Sequence, residues 1–330
     1  MMNAAVIGLG WWGRKVVGDL RDSPHIRVCL GVDPSPDGRA AADALGVAAA
    51  TDFEHALADE KVDAVILCTP HKFHADQIVA AAQAGKNVFC EKPLTTTGAH
   101  ARKAIDAVTS AGVQLGIGHE KRFEPAVVAL LSRCAAGEFG TPLVFEGNFS
   151  QDKFLDLPAD NWRLSDTEAP VGPLSATGIH LVDLAIALFG RPVSVWARLA
   201  TLATGFANGD TLTITLAFPR GETALITAVL TTPFAGRIAL LGSRGWVEIR
   251  DRNHPEQPQG WDVTTVHRGA EPVTTFQPPH PSVRENIEQF ARAAAGELTY
   301  PVTLDEMLAN VETFEAITRS ARSGQVERVG

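Results

Sequence analysis

Ala4-Ala5-Val6-Ile7-Gly8-Leu9-Gly10-Trp11-Trp12-Gly13 is the stretch that decides the fold. Ala4 to Leu9 is an unbroken apolar run and reads as a buried strand, and Trp11 to Leu20 carries a helical pattern. Between them, Gly8, Gly10 and Gly13 complete G-x-G-x-x-G. The motif alone is common, but here it leaves a strand and opens a helix, as a dinucleotide loop requires. Gly8 permits the tight turn, Gly10 lets backbone approach a pyrophosphate, and Gly13 lets the helix lie close on the strand. The helix N-terminus then offers free N–H groups and partial positive charge to the phosphates. Trp11 and Trp12, inside the motif, belong to the same cofactor-binding set.

The next strand, Ile26 to Asp33, ends on an acid 20 positions beyond Gly13. A carboxylate there accepts hydrogen bonds from both ribose hydroxyls and repels a 2′-phosphate, so NAD is expected ahead of NADP. Two features leave alternatives open. Pro34 follows, as it would after a surface turn residue, and Arg39 lies near enough to soften the discrimination.

Outward from this loop the first 120 residues alternate strands and helices. Helices are expected over Arg39 to Leu45, His74 to Ala84 and Ala99 to Ser110, and strands over Val62 to Cys68, Asn87 to Cys90 and Val113 to Ile117. Such alternation gives parallel βαβ units and a doubly wound sheet, with ligands at the carboxyl ends of its strands. Beyond about residue 120 the rhythm changes. A helix over Glu124 to Ala136 and a strand over Val144 to Phe149 precede a polar, Pro-containing segment, 151–173. A helix from about Thr177 to Phe189 stops at Gly190. Alternating strands follow over Val193 to Leu199, Thr211 to Phe218, Thr223 to Leu230, Arg237 to Leu241 and Trp246 to Ile249, and short turns make them antiparallel. Amphipathic helices over Ser282 to Ala295 and Leu304 to Ser323 close the chain. The expected fold is an α/β Rossmann domain, 1–120, followed by an α+β domain, 121–330, with a large, mostly antiparallel open sheet. The C-terminal helices are candidates to pack back on the first domain.

Composition narrows the function. A length of 330 residues, 45% of them hydrophobic, suits two cores. A net charge of -9 argues against nucleic acid. The four cysteines form no C-x-x-C and no zinc-spaced cluster, so no metal site is expected. The N-terminus lacks signal-peptide character, and no apolar stretch reaches the ~20 residues of a membrane span. The expectation is a soluble cytoplasmic protein with no membrane partner.

Chemistry enters with Asn87-Val-Phe-Cys-Glu-Lys-Pro-Leu94, which sets Glu91 and Lys92 at the carboxyl end of a parallel strand. Alone, Lys92 reads equally as a surface lysine before a proline. Several further segments occur in order: Thr69-Pro70-His71-Lys72-Phe73-His74, Ala84-Gly85-Lys86, Gly118-His119-Glu120-Lys121-Arg122-Phe123, Gly178-Ile179-His180-Leu181-Val182-Asp183, Pro301-Val302-Thr303 and Ser320 to Gly324. Together with the loop they resemble the glucose-fructose oxidoreductase / inositol dehydrogenase / rhizopine-catabolism (Gfo/Idh/MocA) family over essentially the whole chain.

That resemblance implies an NAD(P)-dependent dehydrogenase or reductase. It would move a hydride between nicotinamide and a carbinol or carbonyl of a sugar, sugar acid, cyclitol or nucleotide-sugar. It implies a homodimer or homotetramer built on the open sheet. It implies that Lys92 bridges the nicotinamide ribose and the substrate hydroxyl, with His180 opposite as proton donor and acceptor. The residue types suit that chemistry. An imidazole exchanges protons near neutral pH, and an ammonium stabilises a developing alkoxide. Thr69, Pro70, His74 and Glu91 join the cofactor-binding set, with His74 also expected to close its loop by hydrogen bonding. Candidate substrate residues are Lys121, Arg122, Trp162, Arg163, Thr177 and Asp183. Arg163 suits an anionic group and Trp162 a sugar face. Lys121 and Arg122 serve equally well as salt-bridge partners. Asp183 shares a helix face with His180 and would orient its imidazole, hold a substrate hydroxyl, or simply stand exposed.

One position departs from the family pattern. Where active members commonly carry Asp four residues before the His, this chain has Ala176. Thr177 is then a substitute donor, or His180 acts alone. The departure also supports a different class of function, a dinucleotide-binding sensor resembling a non-catalytic corepressor. Other oxidoreductase types fit worse: the single tyrosine, Tyr300, has no Lys four residues on, and zinc ligands are absent.

Overall fold

The computed structural model describes residues 1–330. The chain divides into two compact units, Met1–Glu120 with Pro281–Met307, and Lys121–His280 with Leu308–Gly330.

In the first unit six strands form one parallel sheet: β1 (Met2–Ile7), β2 (Ile26–Val32), β3 (Ala48–Ala50), β4 (Ala64–Leu67), β5 (Asn87–Cys90) and β6 (Leu115–Ile117). Their order is β3-β2-β1-β4-β5-β6. The helices between them are α1 (Trp11–Asp19), α2 (Pro36–Ala44), α3 (Phe53–Ala58), α4 (His71–Gln83) and α5 (Gly98–Ala111). Ala64 to Leu67 is buried at every position, as a strand covered on both faces must be. The order reverses between β1 and β4. That switch point opens a crevice at the carboxyl ends, where ligands bind in such sheets.

Element boundaries shift in instructive ways. The second helix begins at Pro36 rather than Arg39, because Ser35 caps it, its Oγ accepting from Gly38 N at 3.0 Å. Ser followed by Pro is a start signal that the alanine-rich run behind it obscures. The helix expected from His74 begins at His71, so both histidines lie on α4. β3 and α3 have no counterpart in the sequence reading: three alanines carry no alternation, and six residues are too few for a helical period.

In the second unit α6 (Pro125–Ala135) and α7 (Ile179–Phe189) accompany strands β7 (Pro142–Ser150), β8 (Ser194–Ala200), β9 (Thr211–Ala217), β10 (Thr223–Val229), β11 (Ala235–Gly242), β12 (Gly245–Asp251), β13 (Trp261–His267) and β14 (Val273–Gln277). After α8 (Ser282–Ala294) and α9 (Leu304–Ser323), β15 (Glu327–Arg328) completes a nine-stranded sheet ordered β14-β13-β12-β11-β7-β10-β9-β8-β15. β7 and β10 run parallel and the other neighbours antiparallel. Leu212, Ile214 and Leu216 of β9 and Ala224 and Ile226 of β10 alternate inward, joining Leu181, Leu184, Phe314 and Ile317 in one core. Fully burying each of the larger side chains is worth roughly 2 kcal/mol.

The helix α8, one of the C-terminal helices offered as candidates to pack back on the first domain, belongs to the first unit. Its strong amphipathicity explains this. Phe290, fully buried, meets Phe89 of β5 edge-on at 5.6 Å, and Asn286 Nδ2 donates to Ile117 O at 2.9 Å. Tyr300 Oη donates to Asn286 Oδ1 at 2.5 Å and completes the clasp.

The loop before β9 is organised by Asp210, which is fully buried. It accepts from the amides of Leu202, Ala203 and Thr204 and from the hydroxyls of Thr204 and Thr211. Burial pushes its carboxyl up, but the Leu202 and Ala203 amides and the two hydroxyls outweigh that and hold it at about 2. A carboxyl depressed on folding stabilises the protein above its ordinary value of 3.8 and loses that contribution as pH falls through about 2. Asp210→Ala strands several buried donors and is expected to cost about 3 kcal/mol at pH 7. A urea midpoint within error of wild type would contradict this.

Candidate active site

The dinucleotide loop leaves β1 under close steric control. Gly8 has φ +91°, and a Cβ there would lie 2.8 Å from Cys68 O. A Cβ on Gly13 would lie 1.9 Å from Gly8 O, so only glycine lets α1 approach the turn. Gly10, the N-cap of α1, has nothing within 4 Å of its would-be Cβ, and no side chain caps the helix. Its first-turn amides are therefore available to an anion on an open side. Trp11 is exposed beside them, its ring edge-on to Trp12 at 5.6 Å.

Asp33 follows β2 and does more than the sequence implies. Its Oδ2 accepts from Leu9 N at 2.7 Å, and its Oδ1 accepts from Ser35 N and Ser35 Oγ at 2.9 and 2.6 Å. A Cβ on Gly38 would sit 2.2 Å from Asp33 Cγ, so that glycine makes room for the carboxyl. A carboxylate offers about four acceptor positions, of which three are taken. An acceptor position remains for ribose. Arg39 donates to the Asp33 and Pro34 carbonyls. An open helix N-terminus, a glycine cradle and an acid at the second strand fit a dinucleotide.

The loops after β4 and β5 are pinned together by His74, which is fully buried. Its Nδ1 lies 2.8 Å from Pro93 O and its Nε2 2.9 Å from Thr69 O, so the ring sits between two loops, its neutral form donating to one carbonyl at a time. Burial outweighs these carbonyls and holds the ring below its ordinary range. Thr69 Oγ1 donates to Gln77 Oε1 at 2.6 Å. Lys92–Pro93 is a cis peptide. Lys92 stands half-buried just past the end of β5, and its N–H donates to Glu91 Oε2 at 3.3 Å.

Glu91 is 8% exposed and lies under Gly118, whose would-be Cβ is 2.4 Å from Glu91 Oε2. Burial and the neighbouring Glu120 carboxylate push its carboxyl up to about 7, against the pull of Trp12 and Lys92. Sequence inspection missed Glu120 as a partner of Glu91. The two are 29 positions apart, and adjacency of β5 and β6 alone brings them together.

In the second unit His180 occupies the first turn of α7 and is 2% exposed. The residues before it, Leu174–Gly178, form a π-helical turn, a local widening frequent at functional sites. Ala176 packs on the Phe154, Leu164 and Leu230 cluster. Thr177, offered by sequence as a substitute donor toward substrate, is 1% exposed and gives its hydroxyl hydrogen to Phe149 O at 2.7 Å. It ties the turn to β7 instead. Phe149 carries the His180 ring at 6.0 Å between centroids.

Three further candidates are engaged inside the protein rather than offered to substrate. Arg122 and Asp183 form a buried bidentate pair, Nε to Oδ2 at 2.6 Å and Nη2 to Oδ1 at 3.1 Å, with side chains 5% and 2% exposed. Asp183 therefore does not stand in solvent. Lys121, 3% exposed at its side chain, lies 3.1 Å from Glu124 Oε1 and 2.9 Å from Asp251 Oδ1. Its ammonium also sits 5.2 Å from the Phe149 ring centre. Burial pulls Lys121 down, but Asp251 and Glu124 win and hold it above its ordinary range. Neither cation is available for substrate, because moving it would strand buried carboxylates.

Trp162 and Arg163 remain half-buried in segment 151–173, the guanidinium stacked 4.3 Å over the indole. That segment is held by Asn208, whose Nδ2 donates to Arg163 O and Ala169 O at 2.7 and 2.8 Å. Sequence reasoning missed Asn208, Phe149, Asp251 and Glu124. None carries a local motif, and all but Glu124, which pairs with Lys121 three residues before it, matter through a distant partner. Lys92 belongs to the first unit and His180 to the second.

Comparison with known proteins agrees with this geometry. Residues 2–119 match the family model described as an oxidoreductase family with NAD-binding Rossmann fold, and residues 127–248 match the GFO/IDH/MocA C-terminal domain. The chain is 29% identical to D-xylose 1-dehydrogenase (NADP(+)) 2 of Haloferax volcanii, covering 98% of each. It is 29% identical to scyllo-inositol 2-dehydrogenase (NAD(+)) of Bacillus subtilis, covering 98% of this chain and 95% of that one. Among solved structures, aldose-aldose oxidoreductase from Caulobacter crescentus superposes with TM-score 0.87 at 25% identity over 99% of each chain.

Glu91 gives this site a pH signature. A carboxyl raised on folding binds more protons folded than unfolded, so stability falls as pH climbs from 4.5 to about 7. The loss is of order 3 kcal/mol. Glu91→Gln is expected to flatten that slope and to be more stable than wild type at pH 8. Urea midpoints at pH 5 and pH 8 check this, and an unchanged slope in the variant would contradict it.

Proposed function

Since the chain belongs to the GFO/IDH/MocA family of oxidoreductases and is an NAD(P)-dependent enzyme acting on CH–OH groups, we propose that it interconverts a carbinol and a carbonyl on a sugar, sugar acid, cyclitol or nucleotide-sugar. The observation that carries this reading is Lys92 at the carboxyl end of β5, next to the strand that flanks the switch point. Named relatives acting on xylose and scyllo-inositol support a polyhydroxylated substrate.

The bound nicotinamide supplies hydride acceptance in one direction and hydride donation in the other. Gly8, Gly10, Gly13 and the first-turn amides of α1 hold the pyrophosphate, and Asp33 a ribose hydroxyl. His180 takes the hydroxyl proton of the carbinol, and the Lys92 ammonium stabilises the oxygen as it becomes alkoxide-like. The Arg122–Asp183 pair holds α7, and with it His180, in position. Arg163 and Trp162 grip the rest of the substrate.

A negative charge at Asp33 favours NAD. In Asp33→Asn, the ratio of kcat/KM for NADP over NAD is expected to rise about tenfold, one like-charge repulsion at short range. The chain acts as a homodimer or homotetramer through the outer face of its nine-stranded sheet. Trp196, Thr215 and Leu225, register neighbours on β8, β9 and β10, point there, and the tryptophan and leucine are exposed. Four free cysteines suit the cytoplasm.

A second reading, a dinucleotide-binding sensor without turnover, rests on Ala176, where no carboxylate can take part in proton exchange. Absorbance at the NADH band separates the two, using NAD and NADP with D-xylose, scyllo-inositol and related polyols. We expect turnover in wild type and about a thousandfold loss in Lys92→Ala with thermal stability retained. Cofactor binding without turnover on any polyol would favour the sensor. Undiminished turnover in Lys92→Ala would remove Lys92 from the chemistry.

A further inference from the structure

A valine stands where the backbone suits glycine. Val171 has φ +52°, the one positive φ outside the glycines. A β-branched residue in the left-handed region is strained, and such strain persists only where the surroundings over-determine it. Val171 is 4% exposed and lies in the apolar core of the second unit. Its carbonyl accepts from Leu174 N at 2.8 Å and Ser175 N at 3.1 Å, and Ser175 Oγ donates to Pro170 O at 2.7 Å. The left-handed residue thus aims its carbonyl at the start of the π-helical turn that leads into α7.

A clamp flanks the strained residue. Asn208, 1% exposed, donates through Nδ2 to Arg163 O at 2.7 Å and Ala169 O at 2.8 Å, and its own carbonyl accepts from Gly172 N at 2.7 Å. A Cβ on Gly172 would lie 2.8 Å from Asn208 Oδ1, so glycine lets the chain close on the amide. Asn208 is fixed from behind by Asp210, whose carboxylate gathers the amides of Leu202, Ala203 and Thr204. One residue therefore holds the chain at Arg163 and again on both sides of Val171.

The two ends of this stretch differ in their other anchors. The α7 end is held independently by the Arg122–Asp183 pair and by Thr177 Oγ1 on Phe149 O. At the other end Trp162 and Arg163 form a single short turn, shaped by Asn161 Oδ1 accepting from Arg163 N at 3.0 Å. Loosening the middle moves that turn more than it moves His180.

We propose that Val171 and Asn208 form a strained clasp that holds Trp162 and Arg163 in the conformation that grips the polyol. Both are positioning residues, and they set substrate affinity rather than proton exchange. The proposal rests on the dehydrogenase reading above, and its test separates the two.

Two substitutions distinguish strain from packing. Val171→Ala keeps the left-handed cost and loses two methyl groups, whereas Val171→Gly loses one carbon more but relieves the cost. Val171→Gly is therefore expected to melt above Val171→Ala although it buries less, and the reverse order overturns the clasp. Kinetics on D-xylose, scyllo-inositol and related polyols supply the second arm. KM for the polyol is expected to rise about fivefold in Val171→Gly and about tenfold in Asn208→Ala, with kcat changed less than about threefold in both. Kd for NAD(P)H, a ligand of the first unit, is expected to stay within about twofold. A merely structural clasp would lower the melting temperature and leave KM unmoved, which overturns the proposal while the dehydrogenase reading stands. No turnover of any polyol by the wild type overturns both. Should Asn208→Ala fail to fold, the two Val171 variants decide alone.

Discussion

A guanidinium held in both oxygens of a buried carboxylate is the interaction on which the second unit depends. Arg122 follows the first β-rich unit by two residues, and Asp183 sits one turn along α7 from His180. Taking two charges out of water is expensive, and such a pair contributes little net stability over an apolar substitute. What it supplies is position. Two parallel N–H···O contacts admit one orientation of the helix, whereas an apolar contact would let α7 slide or rotate by several degrees. A catalytic imidazole needs that restriction, since proton transfer falls off steeply with misplacement.

The same logic recurs wherever charge is buried. Lys121 is locked between Glu124 and Asp251, Asp251 is anchored by the Trp261 indole, and Asp210 collects amides that would otherwise be orphaned. Each fixes a loop at the end of a strand, while the apolar core of the sheet fixes the strands. In the first unit, glycine achieves the corresponding end by absence. Gly13, Gly38 and Gly118 make room for Gly8 O, Asp33 and Glu91 respectively, so the crevice is shaped by atoms that are missing.

Much of this was legible in the sequence, and the boundary between what was and what was not is physical. The dinucleotide loop, the Glu91-Lys92-Pro93 turn and the His180 helix are local patterns, and local patterns survive reading one chain. The polar candidates were recognised as important; Lys121 and Arg122 take the salt-bridge role that the sequence left open beside a ligand role, and Thr177 and Asp183 meet partners inside the protein. Their partners lie 61 positions away for Arg122 and 130 for Lys121 to Asp251, and only the fold decides whether a charge faces a ligand or another charge. The sequence offered the C-terminal helices as candidates to pack back on the first domain, and α8 lies in the first unit, but amphipathicity alone says that a face is buried, not which sheet buries it.

Hydride transfer at this site is tested most directly by following the hydrogen itself. D-xylose or scyllo-inositol carrying deuterium at the carbinol carbons is incubated with the enzyme and oxidised cofactor, and the reduced cofactor is examined by mass spectrometry. Hydride transfer requires one deuterium in the nicotinamide ring per turnover and none in solvent. Deuterium washed out into water, with unlabelled reduced cofactor or none at all, would contradict it.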